Sequence, residues 1–137
     1  MTDSDLNDGY KKFNKALKSF LKQLKKEFPH VSEFSKAYDL FYILRKVNPG
    51  KAQRIFHKNL GSFQDYVINR NDEFFIKNHF NYKQNSEFDV ENLISTLRGL
   101  WCSLDDDNKT AIWDHITVIV ALSNNCAAIA DSIAASR

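Results

Sequence analysis

From Leu6 to Phe28 the apolar side chains fall at alternating steps of four and three: Leu6, Tyr10, Phe13, Leu17, Phe20 and Leu24, with Leu21 and Phe28 widening the stripe. A strand alternates every two residues, whereas a helix returns to one face every three or four, so this spacing predicts an amphipathic helix over about six turns. Pro29 ends it. The period returns at Phe34, Ala37, Tyr38, Phe41, Leu44 and Val47, again from Val90 to Leu104, and again at Ile112, Ile116, Ile119, Ser123, Cys126, Ala130 and Ile133. Ile116–Leu122 would suit a buried strand by propensity alone. The helical period continues on both sides of it, however, and no partner strand is legible elsewhere. Turn residues are also scarce: four glycines and two prolines in 137 residues, where average usage gives roughly sixteen. The expectation is an all-α fold, a compact single-domain bundle of five to six helices over residues 1–137, with a flexible N-terminus over 1–5.

Local signals set the expected boundaries. Ser32 is placed to cap the second helix, and Asn48-Pro49-Gly50 breaks it. Within that helix Leu40–Leu44 is apolar nearly all round, which predicts burial on several sides. A short helix carries Ala52, Ile55, Phe56 and Leu60, with Gly61 in the position after its C-cap. Phe63, Tyr66 and Val67 begin another, Asn69–Asp72 interrupts it, and 72–76 resumes for a turn or two; residues 78–86 read as the principal surface loop. Asp105-Asp106-Asp107-Asn108 reads as a loop, N-cap and acidic N-terminus for a last helix starting near Lys109, with a weak point at Asn124-Asn125. So short a loop predicts an antiparallel hairpin that brings Trp101 near Trp113.

Several chemistries are expected to be absent. The longest apolar run, Ile116–Leu122, covers seven residues, against about 18 for a bilayer span, so no transmembrane segment is expected. Met1-Thr2-Asp3-Ser4-Asp5 is acidic, unlike a signal peptide, and Cys102 and Cys126 lack paired spacing and stand among apolar residues, which together suggest an intracellular, reduced setting. His30, His57, His79 and His115 stand on separate elements and form no metal-ligand pattern. The Asp105–Asp107 run lacks the alternation, glycine and distal Glu of a calcium loop, and Gly50-Lys51 lacks the rest of a phosphate-binding loop. Cys102, beside Leu100, Trp101 and Leu104, reads as a small core residue rather than a nucleophile. No catalytic residue, metal ligand or cofactor is assigned, and the chain is not expected to be an enzyme.

One surface stands out. Lys11, Lys12, Lys15, Lys18, Lys22, Lys25 and Lys26 place seven positive charges within sixteen residues, with no acid among them. The other twelve basic residues face all seventeen acidic ones, a balance of −5 against the overall +2, so charge is segregated onto the first helix. At about 100° per residue these lysines project opposite the Phe/Leu stripe. Such a face suits an acidic protein partner, or nucleic acid as the alternative; as a plain solvated face it would serve only solubility. Five arginines against fourteen lysines, and no aromatic interleaved among the lysines, weigh against specific nucleic-acid recognition. Phe74, Phe75, Phe80 and Tyr82, in the least regular stretch, are the aromatics expected to be partly exposed and to offer a hydrophobic interface.

Three stretches carry a resemblance. These are Leu17 to Pro29, Asn71-Asp72-Glu73-Phe74-Phe75, and Leu97-Arg98-Gly99-Leu100-Trp101 followed by Asn108-Lys109-Thr110-Ala111-Ile112-Trp113. With its lysine-rich helix ending in Phe-Pro, its Asn-Asp-Glu-Phe-Phe turn and its Leu-Trp and Ile-Trp helix pair, the chain resembles small helical proteins of nucleocytoplasmic large DNA viruses. The resemblance implies a viral protein, virion-associated or directed at the host, and transfers no catalytic residue. The Asn-Trp-Gly-Arg signature of Bcl-2-type apoptosis regulators is missing.

Overall fold

The computed structural model describes residues 1–76 and 89–137. Among these the chain is all-α: α1 (Asp3–Glu27), α2 (Ser32–Val47), α3 (Lys51–Leu60), α4 (Gln64–Ile68), α5 (Glu73–Ile76), α6 (Val90–Trp101) and α7 (Asp106–Ala135), with a 3-10 turn at Gly61–Phe63. The described helices number seven rather than five to six because α4 and α5 are separate one-turn pieces. They are divided at Arg70, whose φ of 48° lies in the left-handed region. The Asn71 N–H reaches the Tyr66 carbonyl at 2.8 Å and the Arg70 N–H reaches Val67 at 3.1 Å, the paired bonds that close a helix around a left-handed residue.

The starts of α1 and α7 follow their side-chain caps. α1 begins at Asp3, inside the stretch expected to be loose. The Thr2 hydroxyl accepts from the Asp5 N–H at 3.2 Å, and the Asp5 carboxylate accepts from the Thr2 N–H at 2.8 Å, which satisfies two donors that a bare helix end leaves open. Those bonds from Thr2 hold the Asp5 carboxyl below its usual range. α7 begins three residues before Lys109, because Asp105 is its N-cap and accepts from the Asn108 N–H at 2.7 Å. The Asp run is thus a cap and a first turn, where carboxylates meet the positive end of the helix. α2 begins at Ser32 after Val31, with no side-chain cap, and Gly61 continues in the 3-10 turn at φ −59° rather than closing α3 in the left-handed region.

Helix α1 lies between α2 and α7, antiparallel to both. Along α7, Asp3 pairs with Arg137 at 3.8 Å and Phe20 stacks on His115 at 5.2 Å. Between those points Gly9 passes so close that a Cβ there would sit 3.1 Å from the Cys126 sulfur. Along α2, Phe28 meets Phe34 at 5.8 Å, and the Asn14 side-chain amide donates to the Pro49 carbonyl at 2.8 Å. The α3 helix closes the interior, with Phe56 edge-on to Phe13 at 5.6 Å. The stripe predicted for α1 is the buried one: Phe13, Leu17, Phe20, Leu21 and Leu24 are all in the core, each worth about 1.5–3 kcal/mol relative to exposure.

Three expectations fail for tertiary reasons. α7 runs unbroken through Asn124-Asn125 because its polar residues find partners on α3 and α4. The Gln53 amide donates to the Ser123 carbonyl at 2.9 Å and to its hydroxyl at 3.2 Å, and Gln64 and Asn124 exchange two amide bonds at 2.7 and 2.9 Å. The α6–α7 hairpin does not form: α6 packs on α5, α2 and α3. Trp101 and Trp113 nevertheless stand 5.9 Å apart, because Phe75 of α5 stacks on Trp101 at 4.0 Å and meets Trp113 at 5.1 Å. Finally, α2 is not buried all round; Phe34 and Phe41 are inside, while Tyr42, Val47 and Ile43 (61% exposed) face outward.

By length and composition α7 is apolar enough to cross a membrane, with a window of mean hydropathy 1.5. Ser123, Asn124 and Asn125 divide its apolar residues, so it holds no uninterrupted apolar run of that length. In this fold α7 is the core helix against α1, α3 and α4, burying Ile112, Trp113, Ile116, Ile119 and Cys126.

Candidate functional site

The lysine face stands where the α1 period puts it. Helix α1 buries one side between α2, α3 and α7, so the opposite sector, roughly 140° wide at 100° per residue, faces away from these three helices. Lys11, Lys12, Lys15, Lys22, Lys25 and Lys26 are exposed and Lys18 is half-buried. Among the described residues none of the seven lies within 4.0 Å of a carboxylate; the nearest acid along the same face is Asp8, one turn ahead of Lys11 and Lys12. Seven like charges on one helix repel one another, and on that face of α1 only Asp8, at its start, offsets them.

The two neighbours of α1 give this face two different borders. On the α2 side Lys25 lies over the Tyr38 ring at 4.9 Å, and Tyr38 stacks on Tyr42 at 6.3 Å. Arg45 and Lys46 in turn lie over Tyr42 at 4.5 and 4.4 Å. The Lys46 ammonium, and then the Arg45 guanidinium, hold the Tyr42 hydroxyl below the ordinary phenol range. Cations and rings therefore alternate along this border. The lysine helix contributes no aromatic to it; α2 supplies both rings. The signal was present as Tyr38, Tyr42 and Lys46 at steps of four, but only the pairing of α2 with α1 brings them to Lys25.

On the α7 side a groove of about 380 Å³ opens between the helices, lined by Ala16, Ser19, Ala111, Asp114, His115 and Val118. Small side chains on α1 and α7 leave it, and Val118, 52% exposed, forms part of its lip. Burial pushes the His115 imidazole below its ordinary range, with Asp114 acting weakly the other way, so at neutral pH the ring is an uncharged part of the lining. Asp114 is engaged by Arg70 at 2.7 Å.

The aromatic part of the expected site is corrected. Phe74 and Phe75 are 1% and 0% exposed. They are anchors of the core, drawn in by Trp101 and Trp113, and the Trp113 indole N–H donates to Asp72 at 3.1 Å beside them. They offer nothing to a partner. Phe80 and Tyr82, and the loop expected over 78–86, lie outside the described residues. Cys102 is exposed at the end of α6 rather than buried, whereas Cys126 is in the core, where burial raises its thiol pKa. Among the described residues no group of three His, Cys, Asp or Glu side chains converges as a metal site would require. No protein family, characterised protein or solved structure shows a significant match to this chain.

Proposed function

We propose that this compact single-domain helical bundle is a non-enzymatic interaction protein that holds an acidic protein partner on the lysine face of α1. The observation that carries the reading is the outward sector from Lys11 to Lys26, unneutralised by any described carboxylate. A face kept that basic repels itself, and a partner bearing carboxylates relieves the repulsion. The resemblance to proteins of large DNA viruses makes an intracellular setting, in the host or the virion, part of the same proposal.

The test is capture of a protein from native lysate by the wild-type chain and by a variant carrying Lys15→Glu, Lys18→Glu and Lys22→Glu. A partner retained by the first and lost by the second supports the reading; an empty capture by the wild type counts against it. A second reading, nucleic-acid binding, is favoured by Tyr38 and Tyr42, since rings beside cations stack bases without sequence preference. It requires an affinity that falls steeply between about 50 and 200 mM salt and a loss on Tyr42→Ala.

A further inference from the structure

We propose that the occupant of the α1–α7 groove is an acidic amphipathic helix, its apolar side chains in the groove and its carboxylates on the adjoining lysines. The inference rests on the proposed binding role of the lysine face and names the shape of the partner. Its first support is register. Ala16 and Ser19 line the groove from α1. Lys12 precedes Ala16 by four residues, Lys15 precedes Ser19 by four, Lys22 follows Ser19 by three, and Lys26 follows Lys22 by four. Residues three and four apart share one side of a helix, so these four ammonium groups run beside the groove over about 21 Å at 1.5 Å per residue. The far lip, from Ala111 to Val118, carries one carboxylate, Asp114, and Arg70 already pairs with it.

The second support is what the groove can satisfy. Both walls are helices whose backbone bonds are internal, and the lining offers only the Ser19 hydroxyl, the Asp114 carboxylate and the His115 ring as polar groups. An extended peptide would set its own N–H and C=O groups against apolar side chains, where an unmet hydrogen bond is costly. A helix brings its backbone already bonded and presents apolar residues at i, i+3 and i+4 to such a groove.

Other occupants fit less well. A second copy meeting this one through the same face would bring its own lysines against these. A lipid surface is flat where the groove is concave, and the apolar stripe of α1 that would enter it is in the core. A nucleobase would find only the His115 ring, which already stacks on Phe20 at 5.2 Å.

The experiment titrates the full chain by fluorescence anisotropy with three labelled peptides and with labelled oligo-dT. The first is a synthetic peptide of roughly 15 residues, the length that spans Lys12 to Lys26, with Leu on one helical stripe and Glu beside it. The second is the same composition scrambled, and the third is poly-glutamate of equal length. The striped peptide is expected to bind about tenfold tighter than the scrambled one, the increment of one well-buried apolar side chain. Val118→Gln, and separately Ala111→Gln, should remove that increment and leave poly-glutamate binding unchanged; neither alters charge, and circular dichroism checks the fold of each. Equal binding of striped and scrambled peptides, or striped-peptide affinity that both variants retain, overturns the groove proposal while the lysine-face reading stands. Failure to bind any of the three overturns both. Tighter binding of oligo-dT than of the striped peptide, lost on Tyr42→Ala, overturns the helix in favour of nucleic acid.

Discussion

Phe75, Trp101 and Trp113 meet within 4.0–5.9 Å and are buried, while six of the seven lysines on the α1 face are exposed, a few residues from an equally buried stripe. The two regions hold energy in different ways. In the aromatic cluster each ring contributes area taken from water and close contacts that no neighbour can replace. On the lysine face each charge is solvated, its repulsion is screened by salt, and its removal leaves no cavity. Stability is therefore concentrated in the first region and, on the reading proposed above, recognition in the second.

Four measurements break or sharpen that division. The largest effect is expected from Phe75→Ala, which should cost about 3–5 kcal/mol in urea unfolding because it empties the space between two tryptophans; a cost below about 1 kcal/mol would mean the cluster is peripheral. Next is Gln53→Met, which fills similar space but leaves the buried Ser123 hydroxyl without its donor. A loss of about 1–3 kcal/mol is expected, and an unchanged midpoint would show that the α3–α7 bond adds nothing.

Smaller is the contribution of His115. Its imidazole pKa is depressed in the fold from an ordinary 6.5, so as pH falls through that value the unfolded chain takes up the proton first. Stability from this group is complete above about pH 6.5 and declines below it. His115→Gln should flatten the difference in urea midpoint between about pH 7.5 and pH 5, and a slope identical to wild type would remove the assignment. Smallest in stability are the single changes Lys15→Glu, Lys18→Glu and Lys22→Glu, each expected within about 0.5 kcal/mol of wild type. Combined, they should abolish retention of an acidic partner. Large destabilisation by any one of them would erase the contrast between the regions.

The two regions also differ in how far they can be read from residues alone. The α1 face was legible because a six-turn helix repeats its pattern often enough to declare its inward side, and the lysines then had one direction left. Phe74 and Phe75 belong to a one-turn helix, too short to show a period, so their burial depends on Trp101 and Trp113 arriving from α6 and α7. The groove was hidden for a related reason. Ala16, Ser19 and Ala111 are unremarkable in sequence, and a concavity exists only where small residues of two helices face each other. Tyr38 and Tyr42 could be seen as a pair on α2, but their approach to Lys25 is a fact about helix packing. Asn124 looked like a breaker because an isolated amide competes with the helix backbone; Gln64, sixty residues away in the chain, engages it instead.

What the sequence determined by itself is therefore periodic and local: the all-α class, the inward stripe of α1, the direction of its lysines, and the neighbourhood of each break. Only the tertiary structure decided which short aromatic segment fills the core, which polar side chains on α7 are satisfied, and which residues border the basic face. Those outcomes depend on contacts between residues far apart along the chain, and such contacts arise only when whole helices settle against one another.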